Sequence, residues 1–324
     1  MLKGIFTISL DFELYWGVRD HRTLENYGDN ISNVHKIIPR LLEMFEQYGV
    51  HCTWATVGFL FCKDKSELVE EIPGLHPDYL KKEYDPYSYI SKNELEAVYH
   101  FAPALIEKIK NTPGQEIGTH TFSHFYTLEK NTNAEQFKTD LEAAVGKAKK
   151  NGIEIRSIVF PRNQYADEHI KICKGAGIKV YRGNEESGPY RPVSREDENI
   201  FRRAVRFFDA YINITGHHCF QLPGAAGIIN VPASRFLRPY SPKLGWLDRL
   251  KYKRIKQSME YAANRGLIYQ LWWHPHNFGN KTEKNFAFLE KILKLYSTLN
   301  SEQKMESQNL NEIFIKTINN ANEN

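Results

Sequence analysis

The chain has 324 residues, 41% hydrophobic and 25% charged, with a formal net charge of +4. That is a globular composition, large enough for one α/β barrel or two small domains. The basic residues are scattered and form no long Lys/Arg block, which argues against a nucleic-acid footprint. No apolar run is long enough to cross a bilayer: the stretch Thr53 to Cys62 is short and broken by Thr and Gly.

At the N-terminus, Met1-Leu2-Lys3-Gly4 leads directly into an apolar, β-branched run ending at Asp11. This leaves no room for a signal-peptide core, so a cytoplasmic protein is expected. Cys52, Cys62, Cys173 and Cys219 show no CxxC spacing and are expected to be reduced, buried thiols.

Gly4 to Asp11 reads as a buried strand with a carboxylate at its C-terminal end. Pro39 to Tyr48 has helical apolar spacing, with Pro in the first turn and Gly49 just beyond, and Val50 to Val57 follows as strand two. Asn93 to Lys110 is a further amphipathic helix, stopped by Thr112-Pro113-Gly114 before the short strand Gln115 to His120. Helix Ala134 to Lys150, strand Ile155 to Phe160, helix Ala166 to Lys174 and strand Ile178 to Tyr181 continue the alternation. Such βα repetition calls for parallel strands, with functional groups at their C-terminal ends.

From Asn184 to Leu247 the pattern dissolves into Pro, Arg and aromatic residues, with one helical stretch near Glu198 to Ala210. This is expected to be an inserted cap. Helix Asp248 to Asn264, strand Gly266 to Trp273 and helix Glu283 to Leu295 restore regular structure, and residues 301–324 read as a polar tail prone to fray. The expected organisation is a single barrel over 1–300, with an insertion at 184–247.

Three places carry chemistry. His120 and His124, four apart after a strand, are expected to face the same way over one helical turn and clamp a metal. Asp11 and Glu13, two apart on strand one, project to the same side, so either can join them. Two imidazoles and one carboxylate leave positions open for water, as in catalytic zinc sites. The late strand ends in His274-Pro275-His276, where His274 suits a proton donor. Pro275 is expected to turn the two rings apart, leaving His276 structural or a wall of the pocket. Trp273, His276 and Arg182 are the expected substrate contacts.

The segments Thr7-Ile8-Ser9-Leu10-Asp11-Phe12-Glu13, Thr53 to Gly58, and Glu116 to His124 match in order and spacing the motifs of a known family. With Ile158 to Arg162 and Leu271 to His274, the chain resembles the polysaccharide deacetylase (NodB-homology, carbohydrate esterase 4) family. The resemblance implies an α/β fold, a distorted (β/α) barrel of about seven parallel strands. It implies one divalent metal, zinc foremost with cobalt, manganese or nickel as substitutes. It also implies hydrolysis of an N-acetyl group on an amino sugar; the expected cytoplasmic location points to a surface-polysaccharide precursor, and with the arginines of 184–247 it would suit a nucleotide-linked or lipid-linked sugar.

Carried over by motif, Asp11 is the base that activates water, Glu13, His120 and His124 are ligands, His274 is the general acid, and Arg162 holds the base. Motif one here is acid-x-acid rather than adjacent acids, so Asp11 and Glu13 can exchange roles. Motif three reads Pro-Arg rather than Arg-Pro, and no Asp-x-x-Asp-Trp motif is found. Two other functions stay open: an amidohydrolase acting on a small cyclic amide or ureide, and a non-catalytic glycan-binding protein on the same fold.

Overall fold

A computed structural model describes residues 2–225 and 227–322. The strands are β1 (Gly4–Phe12), β2 (Cys52–Thr56), β3 (Gln115–Thr119), β4 (Ser157–Val159), β5 (Val180–Gly183), β6 (Ile229–Pro232), β7 (Arg235–Phe236), β8 (Ile268–Trp273) and β9 (Met305–Ser307). They form one sheet in the order β6-β5-β4-β3-β2-β1-β8-β7, with β9 paired to the start of β1. Every ladder is parallel.

The sheet is curled, because its two ends are consecutive in the chain. Ile229 to Phe236 is one extended segment whose first part pairs with β5 and whose second part pairs with β8. Between them, Ala233 N donates to Gly183 O and Ser234 N to Gln270 O, at 2.8 and 3.0 Å. The result is an α/β barrel left open where β6 and β7 share no ladder. The expected cap therefore needs correction: 229–236 belongs to the barrel wall, and the irregular part of the insertion stops short of it.

The helices are α1 (Leu24–Ser32), α2 (Val34–Tyr48), α3 (Lys65–Glu70), α4 (Pro86–Lys92), α5 (Ala97–His100), α6 (Pro103–Lys110), α7 (Ala134–Lys150), α8 (Asp167–Gly175), α9 (Ile200–Asp209), α10 (Asp248–Ala263), α11 (Thr282–Ser301) and α12 (Leu310–Asn322). Pro39 lies inside α2 rather than at its start, because the buried stripe already begins at Val34, Ile37 and Ile38. The single helix expected over Asn93–Lys110 is two: Pro103 opens α6 and forces Ala102 out of helical geometry (φ −151°, ψ 40°).

The chain's end is not a fraying tail. β9 extends the sheet beside Gly4 to Phe6, and α12 is capped reciprocally, Asn309 N donating to Glu312 Oε2 and Glu312 N to Asn309 Oδ1, each at 2.9 Å. Met305, Leu310 and Ile313 are fully buried, and this apolar anchoring outweighs the polar composition that suggested disorder. The four cysteines are free thiols. Among the described residues, no helix is long and apolar enough to cross a membrane.

Candidate metal and catalytic site

The strand ends β1, β3 and β8 deliver their side chains to one buried point. Alternation along β1 turns Ser9 and Asp11 to the interior, and Glu13, just past its end, follows them. Glu13 is 3% exposed and both its oxygens are occupied. Oε2 lies 3.4 Å from His120 Nε2 and 3.1 Å from His124 Nε2. Oε1 lies 3.2 Å from His276 Nε2 and 3.6 Å from His274 Nε2.

His120 and His124 converge, but through a loop rather than a helical turn. Thr121 and His124 have φ of 64° and 60°, a left-handed conformation unusual for such residues. Asp140 on α7 holds that loop by accepting from Phe122 N (2.7 Å), Ser123 N (3.1 Å) and the Ser123 hydroxyl.

Pro275 does not turn its neighbours apart. It opens a 3-10 turn over Pro275–Phe278 with His274 as the cap, and both Nε2 atoms face Glu13 with ring centroids 5.0 Å apart. His276 is therefore no pocket wall. It is 4% exposed, and its Nδ1 meets Tyr27 Oη at 3.1 Å. Nor does Trp273 reach a substrate: the same alternation that turns Trp272 and His274 inward packs Trp273, fully buried, against Phe45 and Phe278.

Arg182, at the end of β5, grips Asp11 through two hydrogen bonds of 2.6 and 2.9 Å, and also donates to Ser9 Oγ and Asn163 Oδ1. This is the role expected of Arg162, which instead pairs with Asp20 and Glu129 and lies over the Tyr126 ring. Arg162 sits at φ 55° in the turn Pro161–Asn163, so the inverted Pro-Arg order carries its side chain away from Asp11. Sequence reasoning missed Arg182 as the partner of Asp11, and Asn163 and Tyr27 altogether. The available signal for Arg182 was an arginine near the end of an otherwise buried parallel strand, which needs a buried acid opposite.

Burial opposes ionisation of both acids, yet both are held below the usual carboxylate range. For Asp11 the opposing influence is Arg182 foremost, with His120 and His274; for Glu13, held well below, it is His274 and the hydrogen bonds from His120, His124 and His276. His124 is pushed down to about 4, chiefly by burial, and is neutral at pH 7.

The residues fit a divalent ion. Ligand atoms of Glu13, His120 and His124 lie within 4.8 Å of one another. Bonds of about 2.0–2.2 Å to such donors put tetrahedral ligand atoms roughly 3.4 Å apart, close to the separations from Glu13 Oε2. His120 Nδ1 stands 2.7 Å from the Val159 carbonyl, which fixes the proton there and leaves the Nε2 lone pair facing Glu13. His124 Nδ1 is buried without a hydrogen-bond partner, and its Nε2 faces Glu13.

An open parallel barrel with a carboxylate–histidine cluster at its strand ends is an arrangement that can hold a metal ion where functional groups gather in α/β folds. Residues 27–181 match the family model described as polysaccharide deacetylase. Over that span the chain is similar to the polysaccharide deacetylases, the family its motifs resemble. The matched span contains His120 and His124, while Asp11, Glu13, His274 and His276 lie outside it.

Among solved structures, a Mycobacterium smegmatis protein assigned to the polysaccharide deacetylases is 11% identical, over 98% of this chain and 92% of that one, with a TM-score of 0.60. The α-amylase AmyC of Thermotoga maritima is 11% identical over 96% and 74%, TM-score 0.56. A GH57-type branching enzyme of Pyrococcus horikoshii is 13% identical over 96% and 70%, TM-score 0.54. At these identities the likeness is one of fold. No curated protein matches the sequence.

Proposed function

We propose that this protein is a metal-dependent hydrolase that removes the acetyl group from an N-acetylated amino sugar. The observation that carries the reading is the packing of Glu13, His120 and His124 around one point, beside an Asp11 whose carboxylate is oriented by Arg182. The family supplies the substrate class, an acetylated carbohydrate. Two imidazoles and a carboxylate suit zinc, with cobalt, manganese or nickel as substitutes. Glu13, His120 and His124 would hold such an ion, which would supply polarisation of the amide carbonyl and a lowered pKa for the attacking water.

The remaining work falls to the chain. Asp11, ionised and fixed by Arg182, accepts the proton from the attacking water. His274 Nε2 stands 3.7 Å from Asp11 Oδ2 and its side chain is 23% exposed, on the open side of the cluster. From there it protonates the departing amine nitrogen, so the products are acetate and a free amino sugar. His276, itself met at Nδ1 by Tyr27 Oη, holds the second oxygen of Glu13 through Nε2 and so orients it.

The test compares metal content of wild type and His120→Ala/His124→Ala, together with acetate release from N-acetyl amino sugars. Near-stoichiometric divalent ion in the wild type, lost in the double variant along with acetate release, is the expected result. A wild type that takes up no zinc, cobalt, manganese or nickel overturns the reading.

A further inference from the structure

Beside the catalytic cluster lies a cavity of about 270 Å³ lined by five arginines (Arg162, Arg191, Arg206, Arg235 and Arg238) against two glutamates, Glu185 and Glu198. It abuts the site through two side chains. Asn163 Oδ1 accepts from the same Arg182 that grips Asp11, at 2.9 Å, and the Trp272 ring lies 5.8 Å from His274. A group attached to a sugar reacting at Asp11 and His274 has this cavity as its neighbour.

The arginines are not all neutralised. Arg162 is taken by Asp20 and Glu129, and Arg206 by Glu198 at 2.7 Å. Arg235 is 4% exposed and gives Nη1 to Asp209, but its Nε and Nη2 are buried without any hydrogen-bond partner. The Arg238 guanidinium makes a 3.5 Å hydrogen bond to the Arg206 carbonyl and lies over the Phe207 ring, and neither it nor Arg191 has an ion pair among the described residues. Glu185 opposes an anion weakly, since burial pushes its carboxyl toward the neutral form. Unpaired guanidinium N–H groups in a recess are the donors that phosphate oxygens take.

A shallower cavity shares Arg206 and Arg238 with the first and runs onto Ile200, Ala204 and Phe207 of α9. This helix is apolar where it should be polar: Ile200 is 83% exposed, Phe201 72% and Phe208 53%. Phe207 and Tyr211 line a third hollow with Leu244 and Asp248, the loop that carries Trp246, itself 74% exposed. Exposed aromatic and aliphatic side chains interleaved with Arg202 and Arg203 make the surface that lies in a lipid headgroup region.

We propose that the substrate is a phosphate-bearing amino sugar carried on a lipid, with its phosphoryl group in the arginine cavity and its chain running out along α9. The proposal rests on the hydrolase reading for the position of the sugar, and on the arginines and α9 for everything beyond it.

The test is binding, so that it stands apart from catalysis. Calorimetric titration with N-acetylglucosamine 1-phosphate and with N-acetylglucosamine is expected to favour the phosphate by about tenfold or more. Arg191→Gln/Arg238→Gln is expected to abolish that preference; Arg235 stays in place because it braces Asp209. A farnesyl phosphodiester of N-acetylglucosamine is expected to bind more tightly than UDP-N-acetylglucosamine. The protein is also expected to sediment with vesicles of phosphatidylcholine and phosphatidylglycerol, and Phe201→Ser/Phe208→Ser to stay in solution.

Equal affinity for the two simple sugars, or a preference that survives the double substitution, overturns the phosphate subsite. Tighter binding of the nucleotide sugar, or a wild type that ignores vesicles, overturns the lipid carrier. Arginine-dependent phosphate binding without acetate release from any sugar overturns the hydrolase reading alone. Acetate release from neutral sugar with no arginine dependence overturns the subsite alone.

Discussion

The floor of the cleft and the irregular segment beside it are held by opposite means. On the floor, each side chain is aimed by a strand: Asp11 by β1, His274 by β8, Arg182 by β5, with ladders on both sides of each strand. Among the described residues from 184 to 228 the sheet pairing is one isolated antiparallel bridge, Phe220 with Ile268, and charged side chains do much of the work. Arg206 Nη1 donates to Pro189 O at 2.9 Å, Arg254 Nε to Asp209 O at 3.3 Å and Arg235 Nη1 to Asp209 O at 2.7 Å. Asp209, fully buried, is the hub: its carboxylate accepts from Ile214 N, Thr215 N, Tyr190 Oη and Arg235. The floor distributes its support over many backbone bonds, so one side chain can be lost without the fold. The segment concentrates its support on one carboxylate, so the reverse holds there.

The sharpest break of this comparison is Glu13→Gln. It removes a ligand charge, so metal content and turnover are expected to fall together, by more than the roughly 10–100-fold that loss of an outer partner costs, while the melting profile of the apo-protein changes little. Next is Asp11→Asn, where turnover is expected to fall roughly 10²–10⁴-fold with metal content unchanged. Metal lost in Asp11→Asn but kept in Glu13→Gln would exchange the two roles, and equal loss in both would make both acids ligands. Asp209→Ala inverts the pattern. It leaves Arg235 and Arg254 buried without their acid, a loss of about 3–5 kcal/mol. Hydrogen exchange should accelerate across 184–228, with metal content at the floor retained; uniform acceleration over the barrel would show that the two regions unfold as one.

The contrast also explains what could be read from the sequence. Period-2 alternation in Thr7 to Glu13 and the parallel βα repeat depend on local pattern, so the strands, the Asp11–Glu13 pair and the two histidines were legible. Which arginine meets Asp11 was not, because it turns on the φ of 55° at Arg162 and on the curl that brings β5 across from β1. The same curl hid the strand role of Ile229 to Phe236: a segment that pairs with β5 at one end and β8 at the other shows its reason only when the barrel exists. The last residues misled for a simpler cause, since three buried side chains outweigh a polar majority.

Smaller effects sharpen the comparison further. Tyr27→Phe removes only the hydroxyl at His276 Nδ1, and a loss of about tenfold in turnover is expected, the low end for an outer partner. No change would show that Glu13 is oriented by His120 and His124 alone.

The mildest prediction concerns acid. His218 is 7% exposed, meets Thr215 Oγ1 at 2.6 Å and is pushed down to about 4, by burial first and then by Arg235, with Arg254 and His217 acting the same way and Asp209 against them. A histidine whose folded value is depressed binds protons more readily when unfolded, where its value is about 6.5. The segment's stability is therefore complete above about pH 6.5 and declines as pH falls toward 4. Asp209, held low by Arg235 and by the Thr215 and Ile214 amides against its burial, shifts the balance in the same direction, but only at lower pH. Hydrogen exchange over 209–220, corrected for intrinsic rates, is expected to quicken between pH 7 and pH 5, and His218→Gln to flatten that dependence. Exchange that does not vary with pH in the wild type would mean that the hub alone sets the segment's stability and that His218 is only packed against it.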